Sequence, residues 1–131
     1  LIVAELPSNY DVAAGFVAKP ASEAWERLRD IESWPAVFPD WIASVEADDD
    51  RFHIVGVGKE RYDFYPHAEP EQRALDVEAI DELGSADTLK LRVLDMPGGA
   101  LVIVAHGRLA GTSDSDWARK RAGVAEGLAA L

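Results

Sequence analysis

Residues 17–35 read VAKPASEAWERLRDIESWP, and the way they divide sets the reading of everything around them. Pro20 has no N–H to donate and a fixed φ, so it fits the first turn of a helix, where the missing donor costs nothing. From there Ala21, Ala24, Trp25, Leu28 and Ile31 recur at helical spacing, while Glu23, Glu26, Arg27 and Arg29 fall on the other side. A second short helix over roughly 31–37 is bounded by Pro35 and Pro39, because the residue before a proline avoids the helical region. Upstream, residues 10–18 read as a first strand, weakened by Gly15 and three alanines.

Downstream of residue 40 the period changes to two. Trp41, Ala43 and Val45 alternate with Ile42, Ser44 and Glu46; Asp48, Asp49 and Asp50 make a solvated hairpin tip; Phe52 to Val57 is the next strand. Gly56 and Gly58 mark a bulge or tight reversal before Glu60 to Tyr65, where Tyr62 and Phe64 oppose Arg61 and Asp63. A proline-bounded loop over 66–70, which holds a solvated His67, leads to the alternating run Arg73 to Asp81. There Leu75, Val77 and Ala79 share one face, and Asp76 and Glu78 the other. Leu89, Leu91 and Val93 alternate with Lys90 and an outward Arg92. After Pro97-Gly98-Gly99, the run Ala100 to His106 is apolar on both faces. Short connections between these strands imply an antiparallel meander.

The chain closes on a helix. Thr112 or Ser113 offers an N-cap, Asp114 and Asp116 suit the first turn, and Trp117, Val124, Leu128 and Leu131 form one apolar stripe. Arg121 falls within or beside that stripe, and Lys120 points to another side. The order is one strand, two short helices, about six antiparallel strands and a long amphipathic helix placed to cover the dry face of the sheet. This is an α+β domain, read as a single unit over residues 1–131.

Composition bounds the function. The chain has 131 residues, 48% of them hydrophobic, with 24 acidic against 13 basic side chains and a net charge of −11. That size supports a core without staples. The charge argues against nucleic acid or an anionic membrane as the partner, since both need a basic footprint. The acidity is uneven: residues 1–87 hold 20 acids and 7 bases, residues 88–131 hold 4 and 6. The preferred explanation is that the last segments hold fewer solvent-facing positions. Zero cysteines remove disulfides, a thiol nucleophile and thiolate-bound metal. No aliphatic run approaches the length of a membrane span. The chain begins at Leu1, which implies trimming; the expected compartment is cytoplasmic.

Several of these residues carry a resemblance. Val17 to Trp25, then Leu28-Arg29-Asp30-Ile31-Glu32-Ser33-Trp34-Pro35, the step Phe38-Pro39-Asp40-Trp41-Ile42 and the closing helix from Trp117 through Gly127-Leu128 to Leu131 are similar to the START-related helix-grip superfamily (SRPBCC), which includes polyketide cyclase/dehydrase-like and lipid-transfer-like proteins. The resemblance covers about residues 10–131. It implies a helix-grip fold: a curved antiparallel sheet of six to seven strands wrapped on the C-terminal helix, with an elongated, mostly apolar cavity between them. Carriers, cyclases, chaperone activators and hydrolytic domains share the fold, so it does not choose an activity.

The expected function is therefore the holding of a small hydrophobic molecule between sheet and helix. Trp41, Tyr62, Phe64, Leu75, Val77, Leu91, His106, Val124 and Leu128 are the expected lining. If the protein is an enzyme, cyclisation, dehydration or aromatisation of a polyketide-like chain is the class, with Tyr62, His106 or Arg73 polarising a carbonyl. Tyr62 is the preferred polar group, with an apolar body and one hydrogen-bonding tip. Arg73 shares the face of Leu75 and Val77 by parity, yet sits where a strand starts and solvent is near. His53, His67 and His106 lack metal-site spacing, and the directions of His53 and His106 stay open. No metal or cofactor is expected, and a homodimer is left open. The alternative is a protein-interaction module without a cavity, in the manner of the chaperone activators, suggested by the doubly apolar Ala100 to His106.

Overall fold

The computed structural model describes residues 5–131. Strands run over Tyr10–Val17 (β1), Ile42–Asp48 (β2), Arg51–Gly56 (β3), Arg61–Glu69 (β4), Ala74–Asp81 (β5), Ala86–Met96 (β6) and Gly99–Gly107 (β7); helices over Ala21–Leu28 (α1), Trp34–Val37 (α2) and Asp114–Ala129 (α3). Single 3-10 turns occupy Ile31–Ser33 and Pro70–Gln72. All seven strands form one antiparallel sheet in the order β1-β7-β6-β5-β4-β3-β2. Strands β2 to β7 are the expected meander, and β1 returns beside β7. The α+β helix-grip architecture is thus the observed one.

Local chemistry explains the link between β1 and β2. The Pro20 carbonyl accepts from the N–H groups of Glu23 and Ala24, opening α1, whose buried face is Ala21, Ala24, Trp25 and Leu28. Asp30 then caps the 3-10 turn by accepting from Glu32 N–H at 3.2 Å. The Ser33 hydroxyl donates to the Arg27 and Asp30 carbonyls. Trp34 Nε1 donates to the Leu28 carbonyl at 2.8 Å, which ties α2 under α1. These bonds present Trp34, Phe38 and Trp41 to the sheet as a cluster with Phe64. Ring centroids lie 5.2 Å (Trp34–Phe38), 5.9 Å (Trp34–Phe64), 5.8 Å (Phe38–Trp41) and 6.1 Å (Trp41–Phe64) apart. Each such ring taken from water contributes about 1.5–3 kcal/mol.

Three expectations are corrected. Ala43 is exposed, because a bulge between Ile42 and Ser44 breaks the alternation; Ile42 and Trp41 are both buried ahead of it. His67 is exposed as expected, yet it lies in β4, which runs on through Pro66 to Glu69 and pairs His67 with Asp76. Arg73 stands outside β5. It closes the 3-10 turn at φ 46°, in the left-handed region, and its guanidinium reaches Asp95 at 3.1 Å. That turn takes Arg73 off the parity of Leu75 and Val77 and leaves its side chain toward solvent, as its place at the strand's start suggested.

Candidate functional site

Helix α3 supplies one wall of the site. Ser113 caps it by accepting from Asp116 N–H at 3.1 Å, and Asp114 and Asp116 occupy the first turn. Its buried residues are Trp117, Lys120, Gly123, Val124, Gly127 and Leu128. The glycines set how closely the helix lies. A Cβ on Gly127 would meet Phe38 Cδ1 and the Val37 carbonyl at 2.5 Å, and one on Gly123 would meet Trp41 at 3.1 Å. Gly15 lets β1 approach Leu128 on the other side. The helix is gripped between β1 and the Phe38–Trp41 corner.

All nine expected lining residues face this interior and are buried. Phe64, Leu75, Val77, Leu91, Val124 and Leu128 are packed as core, among them the aromatic cluster. Tyr62, Trp41 and His106 also carry polar atoms there, and these atoms decide the chemistry.

Tyr62 is 6% exposed and stacks on Phe64 at 6.2 Å. It also lines a recess of about 380 Å³ with Gly58, Lys59, Glu60, Arg61, Asp81, Glu82, Leu83, Gly111, Thr112 and Asp116. Its hydroxyl lies beside Trp41 Nε1 and the Glu60 carboxylate. Neither makes a well-formed hydrogen bond: Trp41 Nε1 and Glu60 Oε2 are both buried and unpaired. Burial pushes the Tyr62 hydroxyl pKa up, and the charges of Glu60 and Asp116 push it further. The phenol is neutral and free to donate. Gly56 and Gly58 clear the space into which Glu60 folds, and Gly58 also clears room for Asp116 and Arg119, which pair with each other. The two glycines that the sequence marked as a reversal therefore make room for the half-buried Glu60 side chain, whose Oε2 is turned inward.

Lys120 is the second polar feature, and it corrects an expectation. Arg121 is exposed, whereas Lys120 is 7% exposed and points inward. Its ammonium donates to the Gly107 carbonyl at 3.1 Å and lies 5.2 Å from the Trp41 ring centre and 5.7 Å from that of Trp117. Burial lowers its pKa to about 8, and Asp87 partly offsets this. His106 faces inward, 1% exposed, edge-on to Trp117 at 5.4 Å. Neither of its ring nitrogens has a hydrogen-bond partner, although Asp11 Oδ2 comes to 3.3 Å from Nε2. Burial first, then the charges of Lys120 and Arg121, lower its pKa to about 3, so the ring is neutral. A positive pole thus sits inside a protein of net charge −11.

His53, whose direction was open, faces outward. Asp63 Oδ1 lies 2.7 Å from Nδ1 and Asp48 Oδ2 2.8 Å from Nε2, with Arg51 beside both carboxylates. The expected outward Arg92 pairs with Asp76 at 2.8 Å. Among the described residues no group of three or more histidine or carboxylate side chains is arranged to hold a metal ion. No described helix is long and apolar enough to cross a membrane.

A sheet closed on a C-terminal helix, with short helices after the first strand, defines the helix-grip class. Solved structures of that class superpose over almost the whole chain. A START superfamily protein from Mycobacterium smegmatis matches with a TM-score of 0.70 and 13% identity, covering 92% of this chain and 94% of that one. The Zhui aromatase/cyclase from a Streptomyces species matches at 0.64 and 16%, covering 90% and 85%. The di-domain ARO/CYC StfQ of the steffimycin biosynthetic pathway matches at 0.65 and 16%, covering 92% of this chain and 49% of that one. At these identities the likeness establishes the fold. No family model matches the chain, and no curated protein does.

Proposed function

We propose that the protein binds a small, largely hydrophobic molecule between sheet and α3, entered through the recess at Tyr62. One observation carries the reading: an unpaired indole donor (Trp41 Nε1) and an unpaired carboxylate oxygen (Glu60 Oε2) are buried beside the Tyr62 hydroxyl, and Tyr62 and Glu60 line an open recess. A buried polar atom without a partner costs about 1–3 kcal/mol, which a ligand bringing one donor and one acceptor would recover. Burial of the ligand's own apolar surface supplies the rest of the affinity, at about 25 cal/mol per Å². The aromatase/cyclase neighbours make polyketide-like aromatic molecules the class to try first. In a cyclase-type reaction, Tyr62 and Trp41 would donate to a substrate carbonyl while the walls hold the chain folded.

The test is a fluorescence titration with N-phenyl-1-naphthylamine, whose N–H supplies the donor that Glu60 lacks. Saturable binding is expected, and Glu60→Gln should weaken it about fivefold, because the amide oxygen still accepts but without the carboxylate's charge. No saturable binding, together with no co-purifying molecule in native mass spectrometry, would overturn the reading.

A further inference from the structure

The recess at Tyr62 holds more carboxylate than cation. Glu60, Asp81, Glu82 and Asp116 line it against Lys59 and Arg61. Two of these acids have a cation already: Asp116 pairs with Arg119 at 2.6 Å, and the exposed Glu82 reaches Arg61 at 3.9 Å. Asp81 spends both oxygens on neutral backbone donors, Oδ1 on the N–H groups of Leu83 and Ser85 and Oδ2 on that of Gly111. Glu60 is left over. Among the described residues it joins no ion pair, and its Oε2 is buried without a hydrogen-bond partner. Arg119 reaches the same space beside Gly58 but pairs with Asp116, and the Lys59 side chain stays exposed. A second observation is independent of charge. Tyr62, 6% exposed, lines the same recess, and its hydroxyl stands beside the Glu60 oxygen with no bond between them.

Three kinds of polar group on a hydrophobic molecule fare differently here. An anion brings no donor and meets four carboxylates on a molecule already at −11. A neutral hydroxyl brings one donor and leaves Glu60 without a counter-charge. A protonated amine brings the counter-charge and up to three donors, enough for the Glu60 carboxylate and the Tyr62 oxygen together. Its bond to a carboxylate is roughly twice as strong as a neutral one. We propose that the molecule taken up at Tyr62 carries a protonated aliphatic amine on its hydrophobic body, and that the ammonium sits between Glu60 and the Tyr62 hydroxyl. The body then lies against the Tyr62 ring and Leu83, which lines the same recess and is 76% exposed. This rests on the binding reading above and narrows it to one ligand class.

The experiment compares three probes on one scaffold at pH 7.5 and 150 mM sodium chloride: 1-naphthylmethylamine, 1-naphthalenemethanol and 1-naphthoate. The amine should bind about tenfold more tightly than the alcohol, the margin of a charge-assisted over a neutral hydrogen bond. The acid should bind more weakly than either. Glu60→Gln should bring the ratio of amine to alcohol affinity close to one, and Glu60→Asp should keep most of it. Asp49→Asn combined with Asp50→Asn, at the exposed β2–β3 turn, should leave the ratio unchanged, which sets the local carboxylate apart from the general charge of the surface. An alcohol that binds as tightly as the amine in the wild-type protein overturns the proposal and leaves the binding reading standing. So does a ratio that survives in Glu60→Gln. Failure to bind any of the three overturns the proposal, and failure to bind N-phenyl-1-naphthylamine as well overturns the reading beneath it.

Discussion

His106 is 1% exposed and its ring nitrogens are unpartnered, so a proton placed on it is a charge without a hydrogen bond. Its pKa is lowered to about 3 from 6.5. The unfolded chain therefore takes up a proton between those values that the folded protein refuses, and stability falls as pH drops below about 6.5. His53 has the opposite sign. The Asp48 and Asp63 carboxylates raise its pKa, so its contribution is complete below about 6.5 and is lost as pH climbs through the raised value. Urea unfolding separates the two. Between pH 7.5 and pH 5, His106→Leu should gain about 2 kcal/mol relative to wild type. His53→Gln should lose ground relative to wild type over the same change. A constant wild-type difference for His106→Leu would refute the buried-neutral assignment. At this scale the sequence was legible in part. Periodicity placed Tyr62 on the dry face beside Phe64, but it gave no sign that Glu60 folds under Gly58. It also set Arg121 within or beside the apolar stripe and Lys120 on another side, whereas the sheet covers the Lys120 border. Which border the sheet covers is a tertiary fact that a period near 3.6 does not carry.

At the scale of elements, the clue to that border was Gly123 and Gly127, residues that a hydrophobic stripe does not register. They bring α3 down onto Trp41 and Phe38, and Lys120 lies on the same buried face of the helix. Alanine at an ordinary helix position is worth about 1 kcal/mol over glycine. At Gly127 the added methyl meets a backbone carbonyl and a buried ring, neither of which yields cheaply. Gly127→Ala should therefore destabilise the protein by about 2 kcal/mol despite its helix propensity, read as a lower urea midpoint with unchanged slope. A stabilised variant would mean that α3 is free to move away from α2. Strand parity was legible wherever a strand is regular, as in β5 and β6. It failed where backbone geometry changes without a sequence mark, at the β2 bulge and at left-handed Arg73. The extension of β4 through Pro66 went unseen because proline there reads as a terminator.

The whole molecule combines an acidic exterior with an interior whose buried charge is positive. Strand β7, Gly99–Gly107, contains no acid, and it runs between β1 and β6 with Ala100, Val102, Val104 and His106 buried; this is why the last third of the chain is nearly neutral. The surplus carboxylates lie on exposed positions of the first 87 residues, such as Glu26, Asp49, Asp50, Glu69 and Glu71. Like charges spread over a surface this small repel across distances comparable with the Debye length, about 10 Å at 0.1 M salt. Folding concentrates them, so the compact state bears more repulsion than the unfolded chain. The exposed ion pairs, such as Arg61–Glu82 at 3.9 Å, also weaken in salt but contribute little each. Net repulsion should win. Raising sodium chloride from 10 to 150 mM at pH 7.5 should stabilise the fold by about 1 kcal/mol, a rise in Tm of about 4 °C. Asp49→Asn combined with Asp50→Asn should reproduce part of that rise at low salt and reduce the salt response. A Tm that falls with salt would mean that the ion pairs on the sheet's outer face outweigh the repulsion around them.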